Sequence, residues 1–117
     1  MKLPIFFEDS KIPVVLSFIS PITINAITLG PLIFSRGKLS EVTRNHESIH
    51  WAQYKETLLI GFLLIYAFYW LLGVIKFKSG SQAYYKIPFE QEAYANENNF
   101  DYLRNRRLFS WVSYLRL

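Results

Sequence analysis

The chain contains no cysteine, so no disulfide staples it and no thiolate can hold a metal; a metal site here has to be built from His, Asp or Glu. The same absence leaves the redox compartment open. Histidine is nearly absent as well, with two in 117 residues, His46 and His50. Residues 57–75 carry no charge of either sign. No repeat and no low-complexity segment is present, which excludes a solenoid or a linker-like chain. No secretory signal is read at the start, because the apolar run from Met1 to Phe7 is short and is followed by Glu8 and Asp9. A cytoplasmic or membrane-associated location is therefore expected.

Against these absences, 51% of the residues are hydrophobic and 18% aromatic, which excludes a disordered chain. A length of 117 residues makes one domain with a packed core. The net charge of +4 comes from scattered Lys and Arg, densest at Arg104, Arg106, Arg107 and Arg116. Phe100, Tyr102 and Phe109 stand nearby, as base-stacking aromatics would. A solvated helix end accounts for the same residues more simply, so a nucleic-acid partner is disfavoured.

Residues 12–34 hold no charge and are interrupted by Pro13, Pro21 and Pro31. Ile22-Thr23-Ile24 and Ile27-Thr28-Leu29 are rich in β-branched side chains, and proline confines such strands to edges and turns. Two or three short strands are expected there, the last near Leu32 to Ser35, with a turn at Arg36-Gly37-Lys38; residues 1–38 as a whole read as strands and turns. Ser40 or Thr43 is placed to cap a helix over residues 40–57 that holds both histidines. An apolar helix follows over 57–76, then a polar loop from Lys78 to Gln82. A helix over 88–104 is opened by Pro88, and an aromatic-rich helical tail fills 107–117. The expected class is α+β, short N-terminal strands followed by three main helices.

His46-Glu47-Ser48-Ile49-His50 is an H-E-x-x-H sequence. On a helix, ligands at i and i+4 project from one face a turn apart, so both imidazoles can reach one tetrahedral ion. Chance alone places this pattern in roughly one sequence in a thousand of this length and histidine content. A buried, hydrogen-bonded histidine pair with no metal is the plainer alternative. The motif resembles that of the zincin metallopeptidases. The resemblance implies that Glu47 is the catalytic base, accepting a proton from the water that zinc activates and passing it to the leaving amine.

A catalytic zinc takes three protein ligands and keeps one open position. With no cysteine and no third histidine, the third ligand has to be a carboxylate. The gluzincin pattern places that Glu early in a helix with a small residue three positions on. Glu90, with Ala93, and Glu92, with Ala95, both fit; they stand about 200° apart around a helix, so only one can face the ion. Glu90 is favoured for its place just after Pro88, with Glu92 the alternative. Tyr94 or Asn96 falls where the pattern carries the Asp that orients a ligand histidine. For an oxyanion donor, Tyr84, Tyr85, Tyr94 and Arg104 are the candidates.

The resemblance extends beyond the motif. Ile27-Thr28-Leu29-Gly30-Pro31-Leu32-Ile33-Phe34, Asn45 to Gln53 around the histidines, the aromatic apolar helix, and Phe89-Glu90-Gln91-Glu92-Ala93-Tyr94 together look like a family of small H-E-x-x-H proteins of bacteria and phages. Membership implies a minimal zincin-like α+β domain with zinc and peptidase activity. It also implies an edge strand ahead of the motif helix that takes an extended peptide, for which Leu29 to Phe34 is the candidate.

By length and lack of charge, residues 57–75 qualify as a membrane span. The metal site opposes that, because a crossing would put His50 and Glu90 on opposite sides of a ~30 Å bilayer core. A helix unbroken from His50 to Lys76 would be about 39 Å long, and the twelve residues before Glu90 could return about 40 Å only when fully extended. A bend near Gly61 is therefore expected, with the apolar helix packed in the core, lying in a membrane surface or covered by a partner chain. Two functions fit: a zinc peptidase acting on a peptide or protein substrate, or an inert zincin-fold protein docking on a membrane or a larger assembly such as a virion.

Overall fold

β2 (Ala26–Leu29) and β3 (Leu32–Ser35) form a hairpin closed by Gly30 and Pro31. Gly30 sits at φ +63, which glycine adopts without a Cβ clash. β1 (Ile5–Phe7) runs parallel along the other side of β3, with Phe6 opposite Ile33. The sheet order is thus β1-β3-β2, and β3 is central. The computed structural model in which these elements are seen describes residues 3–20 and 22–115, so Pro21 and Arg116 lie outside the described residues.

Between β1 and β2 lies α1 (Ile12–Ser17), a helix in a segment whose composition favours strand. Pro13 decides this, since the first helical turn needs no N–H from it and its fixed φ is already helical. Ser10 Oγ accepts from Ile12 N at 3.1 Å and covers a free donor at that end.

α2 (Glu41–Glu56) starts at Ser40, whose Oγ accepts from Thr43 N at 3.1 Å. Its buried face carries His46, Glu47, Ile49, His50, Gln53 and Tyr54, and Tyr54 OH donates to Thr28 O at 2.9 Å across the sheet. The chain then reverses at Leu58 and Leu59, both left-handed at φ 58 and 65. The reversal lies one turn ahead of Gly61 and folds α3 (Ile60–Phe77) back on α2. Phe62 is thereby clamped between Tyr54 and Phe89, with ring centroids 3.8 and 4.4 Å away. Ile87 and Trp111 complete this core.

Residues 80–82 are not loop: α4 (Gly80–Lys86) begins there, capped by Ser79 Oγ accepting from Gln82 N at 3.1 Å. α4 lies close on α3, because a Cβ on Gly73 would stand 2.8 Å from that of Ala83. α5 (Pro88–Asn96) is shorter than the sequence pattern suggests, with a separate α6 (Tyr102–Asn105) and a 3-10 turn at Ser110–Tyr114 in place of a helical tail from 107. Asn45 of α2 accounts for the early stop. Its Nδ2 lies 3.3, 2.9 and 3.0 Å from the carbonyl oxygens of Asn96, Glu97 and Asn99 and draws the chain out of the helix. The class is α+β, a small sheet followed by helices.

Candidate metal centre

The i, i+4 spacing on α2 does what the motif requires. His46 Nε2 and His50 Nε2 lie 3.2 and 3.1 Å from one oxygen, Oε1 of Glu90, in the first turn of α5. All three side chains are buried, and their ligand atoms lie within 4.8 Å of one another. Donors in a tetrahedral zinc site stand roughly 3.3 Å apart at the usual bond lengths, so the donor set and its spacing fit a metal ion. The same three groups also form ion pairs with one another. A pair of shared protons and a metal ion are thus alternative tenants of one space.

The titration of the group reflects this. Burial alone would lower the His50 pKa, but the Glu90 carboxylate beside it outweighs burial and raises it from 6.5 to about 9. His46 is raised too, burial being overcome by its hydrogen bond to Glu90. Burial would raise Glu90, yet the facing imidazoles hold it well below the usual carboxylate range.

The far nitrogens fix the ring orientations. His46 Nδ1 is 2.8 Å from Glu97 Oε1, and His50 Nδ1 is 2.7 Å from Gln53 Oε1. The Gln53 amide nitrogen donates to Phe89 O and Glu92 Oε1, at 3.0 and 2.9 Å, so its oxygen has to accept from His50. Both Nδ1 atoms are therefore donors, and each Nε2, once its proton is displaced, offers its lone pair to an ion. On the other side, Tyr66 OH donates to Glu90 Oε2 at 2.8 Å, which leaves Oε1 as the ligating oxygen.

Glu47 stands beside the trio and outside it. Its Oε1 lies 2.8 Å from Thr28 Oγ1 of β2, while Oε2 is 3.9 Å from His46 Nε2. One carboxylate oxygen is tethered to the sheet and the other faces the metal position. The site opens on a cleft of about 640 Å³ bounded by residues 22–29 on one wall and by Leu63, Tyr66, Ala67 and Trp70 of α3 on the other.

No protein-family model, curated protein or solved structure matches this chain.

Of the residues singled out in sequence, His46, Glu47, His50 and Glu90 converge. Glu92 does not. It is fully buried on another face of α5, paired to Arg106 Nε at 2.6 Å, and Arg106 also grips Glu56 at 2.6 and 2.9 Å. Arg106 is accordingly no solvated helix end; its side chain is 4% exposed. Arg104 is exposed, pairs with Asp101 at 3.0 Å and does not line the cleft. Tyr84, Tyr85 and Tyr94 do line it, and the Tyr84 and Tyr94 hydroxyls lie 2.9 Å apart. Burial pushes Tyr94 up to about 12, so it stays a proton donor at neutral pH. Neither Tyr94 nor Asn96 orients a histidine: the Tyr94 ring meets the His46 ring edge-on at 4.5 Å, and Asn96 Nδ2 turns to Glu92 O.

Glu97 takes the orienting role instead. It lies seven residues after Glu90, two turns on along the same face, a spacing legible in sequence had the helix not ended between them. Gln53, three residues after His50, carried a comparable signal; Thr28 and Tyr66 carried none. Of the expected edge Leu29 to Phe34, residues 32–34 cannot serve, because they lie in β3, which is covered on both sides; Leu29 ends β2. The free edge beside the motif is that of β2.

Proposed function

We propose that this chain is a zinc-dependent peptidase of the gluzincin type. The observation that carries the reading is the constellation itself, two histidines and one carboxylate converging in a buried site with a fourth group, Glu47, tethered beside them and excluded from the ligand set. Neutral imidazoles and a carboxylate suit zinc over the hard oxygen-seeking cations. Zinc held there supplies Lewis acidity and a water made acidic enough to lose its proton near neutral pH.

The chain's own residues supply the rest. Glu47, with Thr28 holding Oε1, would have Oε2 placed to accept a proton from the attacking water and to return it to the leaving amine. Tyr84 and Tyr94, both protonated and on the cleft wall, are the donors available to a developing oxyanion. An extended substrate lies along the outer edge of β2, using Ala26 to Leu29 for backbone hydrogen bonds. Such a substrate places its scissile carbonyl over the site that Thr28 helps to shape.

A second reading, an inert zincin-like protein that docks on a membrane or an assembly such as a virion, draws on the apolar face that α3 leaves exposed. The two separate on one experiment. Wild type is expected to bind one zinc per chain, His46→Ala and His50→Ala none, and Glu47→Gln one zinc with peptide cleavage lowered a hundredfold or more. Elemental analysis and a broad peptide library measure both quantities. Wild type with stoichiometric zinc and no cleavage of any peptide would favour the second reading; wild type without zinc would end the peptidase reading.

A further inference from the structure

α3 has the length and composition of a membrane helix, eighteen residues with mean hydropathy 1.9, yet only Phe62 and Gly73 of it are buried. Ile60, Leu64, Phe68, Leu71 and Ile75 are each more than half exposed and recur at helical spacing, so they form one stripe along the helix. A protein partner is a poor fit to it. Protein interfaces carry about one hydrogen bond per 100–200 Å², and none of these side chains can make one. The charge around it points the same way. Residues 57–89 contain Lys76, Lys78 and Lys86 and no Asp or Glu, and all three lysines are exposed.

The orientation follows from the return of the chain along α3. Ala83 meets Gly73, and Glu90 meets Tyr66. Lys86 is therefore level with the middle of α3, and a helix crossing the bilayer would carry that ammonium to its centre, where it is costly. A helix lying in the interface keeps all three lysines among the headgroups while the stripe faces the acyl chains. The cleft comes with it. Leu63 and Ala67, exposed at the margin of the stripe, line one wall, and Phe18 and Ile19, 85% and 84% exposed, stand just before the lining residues Ser20 and Ile22 in the chain.

We propose that α3 seats in the surface of an anionic bilayer, parallel to it, and that the metal cleft thereby takes its substrate, a polypeptide segment adsorbed on or emerging from that bilayer, at the membrane surface. The seating rests on α3 alone, and the substrate class rests in addition on the peptidase reading.

Flotation of the full chain with vesicles of 70% phosphatidylcholine and 30% phosphatidylglycerol tests the seating. Wild type is expected to float with them, more weakly with pure phosphatidylcholine. Leu64→Gln with Leu71→Gln, both outside the cleft, should cut partitioning at least tenfold with zinc content unchanged. No flotation of folded wild type, or equal flotation of the double variant, overturns the proposal. So does a stable dimer that the double variant abolishes in the absence of lipid, since the stripe would then be covered by a second copy. The substrate arm compares one apolar peptide that wild type cleaves, anchored in those vesicles or free; faster cleavage of the anchored form, lost in the double variant, is the expected result. Cleavage indifferent to anchoring removes the substrate class. Flotation without any cleavage removes the peptidase reading and keeps the seating.

Discussion

His50 and Glu90 set the behaviour of the site toward protons. In the metal-free chain His50 titrates near 9 against an ordinary 6.5, a raised pKa. Its contribution to stability is therefore complete below about pH 6.5 and is lost as pH climbs through 9. A metal ion needs that nitrogen unprotonated, so metal affinity runs the opposite way and rises over the same window. Urea unfolding in chelator is expected to show stability falling from pH 6.5 to 9; with saturating zinc the fall should be reversed or flattened. Equal slopes with and without zinc would mean that the ion does not displace the His50 proton.

The partners of the ligands matter at this scale as much as the ligands. Glu97→Gln removes the charge behind His46 Nδ1 and keeps its shape, and changes of this kind cost roughly 10–100-fold in metal affinity. Competition with a calibrated chelator measures it, and an unchanged affinity would remove Glu97 from the site. The ligands themselves were legible in sequence because H-E-x-x-H needs only one helix to place it. Thr28 and Tyr66 were not, since each reaches the site from an element whose packing no local pattern reports.

Among the elements, α5 presents its two glutamates to two different worlds. Glu90 faces the histidines, and Glu92, two residues on, completes a buried triad with Arg106 and Glu56. Removing Glu92 leaves Arg106 paired to Glu56 alone and takes an acceptor from donors of Arg106, Tyr102 and Gln53, at about 1–3 kcal/mol for each buried donor left unsatisfied. Glu92→Ala is thus expected to lower stability strongly in urea unfolding while Glu90→Ala abolishes zinc binding; the reverse pattern would exchange their roles. The ~200° between them was readable from helix geometry, and the place after Pro88 favoured Glu90; the partner that Glu92 takes instead was not readable, because it depends on where Arg106 lies.

Two of the elements that sequence misplaced share a cause, and the third has its own. α1 and α4 begin at local caps, Pro13 with Ser10 and Ser79, which short-range chemistry provides but composition over a longer window hides. α5 stops early for a tertiary reason, the Asn45 amide drawing out its last carbonyls.

At the scale of the whole molecule, the constraint on α3 is topological. His50 precedes it and Glu90 follows it, and the two are 3.1 Å apart, so the chain leaves and returns on one side. Single cysteines placed at Lys38 and at Ser81 of this cysteine-free chain are expected to react with an impermeant reagent from the same side of oriented vesicles. Labelling from opposite sides would be incompatible with the shared site.

The 39 residues between His50 and Glu90 form a loop, and all of α3 and α4 lies within it. Within the loop, Phe62 holds α3 to Tyr54 and Phe89, and Gly73 holds it to Ala83, while the outer face of the helix is open. The base of the loop is fastened where His50 meets Glu90, by shared protons or by an ion, and Tyr66 ties the loop to the same carboxylate. That junction works as a clasp. Opening it shortens no strand and empties no part of the sheet; it leaves a helix about 27 Å long, entered through the turn at Leu58 and Leu59, held near its start by Phe62 between Tyr54 and Phe89.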